Sequence, residues 1–582
     1  MAIDLEETER DWPAGEAEFL HGPWPWWLAV AVLAGAIALV FGRSLGFALL
    51  SWDDEINITR NPLLTPPSAA SVIYFWLRPY VGLYAPVTYT VLAIEATIAW
   101  RPEADGGQFA AWVFHLGNLL FHTGAACAVY LILRRLTRHD LAALAGALVF
   151  AWHPLQTESV CWATETKGLL AGLFSFLALW QYWLSTDDGA EHPRLHYAVA
   201  LAAFVLALLS KPSAVVVPAV ALTIDALWIG RDWRQSARAL APWFALSLVL
   251  MVATKWLQPD ESLSVVAPLW QRPLVAIDAL GFYLWKLVFP WRLAPDYGRT
   301  PGVALAGVWP YLSILLVAAL GAAAAFAPAR RRWLALSAVF VVSLAPVLGI
   351  VPFSYQQFST VADRYAYLAM FAPALLTAWM LSRFPRPAVA GALAALIAAY
   401  GGISFVAAGH WRNDLALYTQ ANAVTERSLM AHNGLGNLLE QQGKLAEAEA
   451  HFRRAAELHP NSYSAHYNLG RVLGKRNRPA EGIATIQKSL ALRPDYEKAH
   501  FELARLAVRA DQLPLARDHL LQAVRLDPER VDAWFNLAQV HERLGEREAA
   551  IRCYQETLKR DPSHNVSRLR LDTLRSQALP RP

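Results

Sequence analysis

Residues 26–55 read WWLAVAVLAGAIALVFGRSLGFALLSWDDE. The apolar run over 27–50 is long enough, as a helix, to cross a hydrocarbon core of ~30 Å. It ends on the acidic run Trp52-Asp53-Asp54-Glu55, where a membrane helix meets water. Charged groups at that depth are costly, so carboxylates kept there are functional candidates. The plainer alternative is a solvated loop that merely ends the helix.

Runs of the same kind recur at 111–133, 141–156, 167–184, 196–210, 212–229, 240–257, 307–327, 333–351, 365–381 and 388–408, which predicts eleven spans. Three further stretches, 70–82, 84–100 and 273–290, are interrupted by Arg78, Pro79, Pro86, Glu95, Asp278 and Lys286. They read as interfacial or re-entrant helices. A chain of 582 residues that is 55% hydrophobic and 17% charged has the composition of a large membrane bundle with a second domain. A formal charge of +4 without a basic stripe argues against nucleic acid as a partner. Residues 1–22 are acidic and lack a basic leading region and a small-residue cleavage site, so the first span is expected to be retained. Cys127, Cys161 and Cys553 lie far apart, with the spacing of neither a disulfide framework nor a zinc site.

Arginine clusters follow the even-numbered spans: Arg134, Arg135 and Arg138; Arg231, Arg234 and Arg238; Arg330, Arg331 and Arg332; Arg383 and Arg386. This positive-inside pattern predicts a cytoplasmic N-terminus. With eleven spans the C-terminal domain, together with Asp53, His153, Lys211 and Arg364, is then expected outside the cytoplasm.

Pro460, Pro494, Pro528 and Pro562 are each 34 residues apart, the period of the tetratricopeptide helix-turn-helix repeat. Small residues at Ala448, Gly482, Ala516 and Ala550 and fillers at Phe452, Ile486, Leu520 and Tyr554 keep the same phase. A half-repeat around Tyr418–Ala421 is expected to join the array to the last span. The chain therefore reads as all-α: a tail over 1–23, a membrane domain over 24–410, a repeat solenoid over 411–570 and a tail over 571–582. Asn433, Asn468, Arg505 and Asn536 are candidates for a concave, peptide-binding surface, the alternative being that they cap or bridge neighbouring helices.

Four polar clusters fall on the expected outer face: Trp52-Asp53-Asp54-Glu55; His153-Pro154 through Glu158 with Trp162 and Lys167; Ser210-Lys211-Pro212; and Ala362-Asp363-Arg364-Tyr365-Ala366-Tyr367. A carboxylate can accept the proton of an attacking hydroxyl. Lys and Arg can hold a phosphate, Arg through a bidentate fork. Together these groups suit transfer from a phosphorylated lipid to a hydroxyl. Taken singly, Arg364 or Lys211 could only snorkel, Asp363 could pair with Arg364, and His153 could only cap a helix.

The order of these motifs followed by tetratricopeptide repeats resembles the transmembrane and tetratricopeptide-repeat O-mannosyltransferases, within the C-type membrane glycosyltransferase superfamily. The similarity spans nearly the whole chain. The resemblance implies a polyprenyl-phosphate sugar as donor, a protein acceptor docked by the repeats, and an acidic catalytic pair at Asp53 and Asp54. Asp54 is the first choice as base. Arg364, Lys211 and Lys167 are expected to hold the donor phosphate, with His153, Glu158, Asp363 and Tyr365 supporting them. Where such proteins often carry Arg before Lys, this chain has Thr166-Lys167. No cofactor is required, although Asp53, Asp54 and Glu55 could bind a divalent cation through oxygen. The alanine- and arginine-rich composition suggests a bacterial cytoplasmic-membrane protein with its repeats outside. The rival readings are a lipid-linked oligosaccharide ligase or oligosaccharyltransferase, and a non-enzymatic repeat scaffold for envelope assembly.

Overall fold

The computed structural model describes residues 26–102, 108–187, 189–257 and 266–576, so the N-terminal tail, most of the 258–272 loop and the last six residues lie outside the described residues. Those described are helical apart from one pair of two-residue strands, Trp100–Arg101 and Gln108–Phe109. The chain divides into two compact units, Met1–Thr425 and Glu426–Pro582.

Among the described residues of the first unit, eight helices are long and apolar enough to cross a membrane: Trp26–Gly46, Ala111–Thr137, Ala163–Ser185, Pro193–Ser210, Pro212–Ile229, Trp233–Ala253, Trp309–Phe326 and Pro387–Trp411. The other three expected spans are shorter. The run at 141–156 is the 13-residue helix Asp140–Trp152, stopped at His153-Pro154. The run at 333–351 is the 15-residue helix Arg330–Leu344, giving way to a turn that contains Pro346. The run at 365–381 becomes α-helical only at Phe371, because Asp363–Ala366 forms a tighter turn. Proline lacks the N–H that would continue a helix and its ring collides with the preceding turn. Helices of this length reach only ~20 Å at the usual rise. The three interrupted stretches are the helices Ala69–Leu77, Pro86–Ala99 and Arg272–Val288.

The two ends of this unit meet. The Ala48 N–H donates to the Arg412 carbonyl at 3.1 Å, and the Ser51 N–H to the Asp414 carboxylate at 2.8 Å. The first and last long helices thus end on one face, which requires an odd number of crossings in all. Eight is even, so if all eight cross, an odd number of the shorter helices crosses with them. Helix Asp414–Val424, which contains the half-repeat expected to join the array to the last span, packs here: Tyr418 stacks on Trp52 at 6.2 Å between ring centroids, and its hydroxyl lies 3.0 Å from that of Ser51. The boundary between the units accordingly falls after Thr425 rather than at 411. The arginine clusters gather in a separate network. Arg135 pairs with Asp187 at 2.5 Å, Arg231 donates to the Thr186 carbonyl at 3.0 Å, and Arg332 lies 4.4 Å above the Trp228 ring.

The second unit contains four helix pairs, Leu429–Gln441 with Leu445–Leu458, Tyr463–Lys475 with Pro479–Leu492, Glu497–Arg509 with Leu513–Leu526, and Val531–Arg543 with Arg547–Arg560, followed by Asn565–Ser576. Each periodic proline sits just beyond a second helix, where its missing N–H is harmless. Ala448, Ala516, Ala550, Phe452, Ile486, Leu520 and Tyr554 are all buried in the seams. A further period is visible only in the structure. His432, His466, His500, Trp534 and Arg568, each 34 residues on from the last, bond through a side-chain nitrogen to the carbonyl six residues earlier: Glu426, Pro460, Pro494, Pro528 and Pro562. Each repeat therefore ties its own entry loop to its first helix.

Gly482 marks a close approach of two helices. A Cβ there would meet the Gly470 carbonyl oxygen at 2.8 Å and a Leu506 methyl at 2.7 Å. Gly482→Ala is expected to destabilise the repeat unit by about 1–3 kcal/mol, as overpacking does. An unchanged melting midpoint in circular dichroism would show that the seam can relax.

Candidate active site: an acidic pair beside a buried cation cluster

The acidic run opens a π-helical turn, Glu55–Thr59, and its two aspartates face different surroundings. Asp54 is fully buried. One of its oxygens accepts the Leu50 N–H at 2.9 Å; the other accepts the Thr164 N–H at 3.0 Å and also the Thr164 hydroxyl. Burial pushes its carboxyl from 3.8 up to about 6, against the pull of these hydrogen bonds. Asp53 is half-buried, and its backbone carbonyl accepts the Asn57 amide at 2.9 Å. Asn57 is held in turn by the Tyr89 hydroxyl at 2.8 Å. The sequence alone favours Asp54 as proton acceptor; the structure gives Asp54 an anchoring position and leaves Asp53 the more accessible carboxylate. Glu55 turns to Arg60 at 2.6 Å, and the three carboxylates do not converge as a ligand set.

Thr164 carries the connection inward. Its segment, 162–166, is pinned by Asn118 of helix Ala111–Thr137, which donates to the Trp162 carbonyl at 2.8 Å and accepts the Thr166 hydroxyl at 2.7 Å. The next residue, Glu165, is fully buried and gathers three cations: Lys211 at 3.0 Å, Lys167 at 3.5 Å and Arg364 at 3.9 Å. Lys211 reaches it from an extended residue where Pro212 ends helix Pro193–Ser210. Arg364, in the turn Asp363–Ala366, is also bound to Glu158: its guanidinium lies 2.6 Å from one carboxylate oxygen, and its backbone N–H donates to the other at 3.0 Å. The rings of Tyr355, Tyr365 and Trp162 cover the guanidinium at 4.2, 4.9 and 5.5 Å. Arg364, Lys167 and Lys211 against Glu158 and Glu165 leave a formal surplus of one positive charge.

A cavity of about 40 Å³ lies against Lys211 and Arg364, bordered by Gly168, Ser213, Ser343 and Tyr365. Gly168 leaves room for the cluster, since a Cβ there would stand 2.4 Å from a Glu165 oxygen. The structure thus brings Glu158, Lys167, Lys211, Arg364 and Tyr365 together and links them to Asp54 through Thr164–Glu165. Asp363 does not pair with Arg364. It accepts the Tyr297 hydroxyl at 2.8 Å, and burial with the nearby Glu158 charge pushes it up to about 8. His153 also stands apart. Its Nδ1 accepts the Leu155 N–H at 3.2 Å, its Nε2 donates to the Leu287 carbonyl at 3.1 Å, and burial holds it neutral, at about 4. It caps a turn. Thr164 and Glu165 escaped the sequence reading; the available signal was a lone acid two residues before Lys167.

The tetratricopeptide repeat family matches residues 401–463, 433–497 and 501–565. The chain is similar to transmembrane and tetratricopeptide-repeat O-mannosyl-transferases. It is 23% identical over 429 residues to the protein O-mannosyl-transferase F38B6.6 of Caenorhabditis elegans, covering 70% of this chain and 60% of that protein. It is 23% identical to the protein O-mannosyl-transferase TMTC4 of Homo sapiens over 73% of this chain and 65% of that one. To TMTC1 of Mus musculus it is 29% identical over 28% of this chain and 17% of that one. The chain therefore spans well under the full length of these relatives. Among solved structures, MamA is 20% identical over 25% of this chain and 81% of that one, with a TM-score of 0.25.

Removing one partner of a buried ion pair strands the other. Glu158→Ala is expected to destabilise the first unit by about 3–5 kcal/mol, read as loss of thermal stability in detergent. Wild-type stability would mean that Glu165 alone suffices for Arg364.

Proposed function

We propose that the chain is a membrane glycosyltransferase that moves a sugar from a polyprenyl-phosphate carrier to hydroxyl groups of a protein on the extracytoplasmic face. The observation that carries this reading is the coupling of an acidic pair, through Thr164 and Glu165, to a cation cluster that is held by two buried carboxylates and has one surplus positive charge. A phosphodiester-linked sugar carries one negative charge and matches that surplus, whereas a diphosphate carries more. The similarity to proteins named O-mannosyl-transferases supports the reaction class and suggests mannose. Composition suggests a bacterial cytoplasmic membrane, with undecaprenyl as the lipid.

In this mechanism Asp53 takes the acceptor's proton as the hydroxyl oxygen attacks the anomeric carbon. The bond from that carbon to the phosphate oxygen breaks, its electron pair leaves on the phosphate, and the anomeric configuration inverts. Arg364, Lys211 and Lys167 hold the departing phosphate, which leaves as an anion and needs no proton. Asp54 positions the loop through Leu50 and Thr164. The repeats dock the acceptor, raising its effective concentration at the membrane without tight binding at the site itself.

Reconstituted protein, given undecaprenyl-phosphate-mannose and a serine-rich acceptor, tests the reading directly. Asp53→Asn should lower transfer by about 10²-fold or more with membrane insertion unchanged, and wild-type turnover would end the base assignment. Asp54→Asn should also impair transfer, because its amide would point a donor at the Leu50 N–H. Ionised Asp54 holds the loop, so transfer should fall below a pH of about 6 and be retained above it. A flat profile from about 5 to 7 would overturn that role. Arg364→Lys keeps the charge but loses the fork and should weaken donor binding; no change in this variant and in Lys211→Ala alike would place the phosphate elsewhere. Truncation after Thr425 should spare transfer to a short peptide and reduce transfer to a folded protein. Reporter fusions should place Arg231–Arg238 inside and the repeats outside.

A further inference from the structure

Cations recur at the repeat period along the first helices of the second unit: Arg471 and Arg505 in one register, Lys475, Arg509 and Arg543 in another. Residues one repeat apart occupy the same face of stacked helices, so these five form a stripe, and Arg570 of the last helix adds to it. Counter-charges are fewer. Glu440 serves both Arg471, at 2.6 Å, and Lys475, at 2.7 Å. Glu502 holds Arg505 at 2.6 Å, Asp511 holds Arg543 at 2.7 Å, and Glu542 pairs with Arg570. Arg509 is exposed and has no carboxylate among the described residues; it donates to the Gly474 carbonyl at 2.8 Å and to Asn477 at 3.4 Å. Six cations against four carboxylates leave a surplus of two.

A groove of about 510 Å³ lies on this stripe. Arg505, Arg509, Arg543 and Arg570 line it, with the amides of Asn536 and Gln539 between them, and Glu542 is its single acidic wall. We propose that this groove binds an extended acidic peptide, a segment of a protein rich in Asp or Glu. Arg509 is the central anchor, because no native carboxylate competes for its fork. Asn536 and Gln539 each offer a donor and an acceptor, which suits a peptide backbone of any sequence. That this peptide belongs to the sugar acceptor rests on the proposed function; the binding itself does not.

The test uses the full chain in detergent and fluorescence anisotropy of a labelled peptide of about twelve residues alternating Glu and Gly, with its Gln counterpart as control. The Glu peptide should bind at least about tenfold tighter than the Gln peptide, and weaken as salt is raised from about 50 to about 300 mM. Arg509→Glu with Arg543→Glu should lower Glu-peptide binding about tenfold at an unchanged melting midpoint. If that double variant melts early, Arg509→Gln alone decides. Equal binding of the two peptides, unaltered binding by the variants, or preference for oligothymidylate over the Glu peptide would overturn the proposal. A chain that binds the Glu peptide but transfers no sugar would instead refute the transferase reading and leave the groove assignment standing.

Discussion

The face on which the first span ends depends on a buried carboxylate, Asp54, that pairs with no cation among the described residues. Asp54 is satisfied instead by two backbone N–H groups and one hydroxyl, from Leu50 and Thr164. Leaving a charge in the interior without such donors is prohibitive, so the bonds are obligatory wherever the group stays ionised. Because Thr164 is distant in sequence, satisfying Asp54 also fixes the loop after the first span against the segment that begins helix Thr166–Ser185. Trp52 completes the joint by packing on Trp162 at 6.1 Å between centroids.

On the far side of Thr164 the problem is inverted, with more cations than carboxylates: Arg364 is buried, and Lys167 and Lys211 are partly so. Glu158 and Glu165 hold Arg364, Lys211 and Lys167 as a frame, yet cannot neutralise them all. Attraction in a low-dielectric site is several times stronger than in water, which makes an uncompensated charge there a standing demand for an anion. Three aromatic rings around the Arg364 guanidinium restrain its orientation while leaving its charge in place. The arrangement is preorganised for a group that arrives or departs negatively charged, which is the condition for stabilising a leaving phosphate.

What was legible in the sequence was whatever is written along one dimension. Apolar run length placed the long helices, arginine placement picked out one end of the bundle, and the 34-residue proline period gave the solenoid. The short helices end sooner than their apolar runs because a hydropathy window counts residues across His153-Pro154 and Pro346 without registering that the backbone turns there. The site was legible as a set of motifs but not as a set of roles. Asp53 and Asp54 are neighbours of like chemistry, and only contacts spanning a hundred residues distinguish anchor from open carboxylate. Glu165 stands at a helix start, where an acid is ordinary, and its three cations come from three separate segments. His153 drew notice by its motif, although its partners, Leu155 and Leu287, make it a cap.

The two units handle charge in opposite ways, and the difference sets what each can contribute to recognition. Exposed arginines, as in the groove of the repeats, are each worth little because water and salt screen them, so selectivity there must come from number and register. Register is what a solenoid supplies, since a cation placed once in the repeat recurs on the same face. The cluster around Glu165 is the reverse case: few charges, held at fixed distances on two buried carboxylates, where one misplaced partner is costly. The proposed transfer, from a phosphorylated carrier to a protein, would draw on both. In that proposal, loose, salt-sensitive capture suits the protein, whereas rigid charge complementarity suits the phosphate.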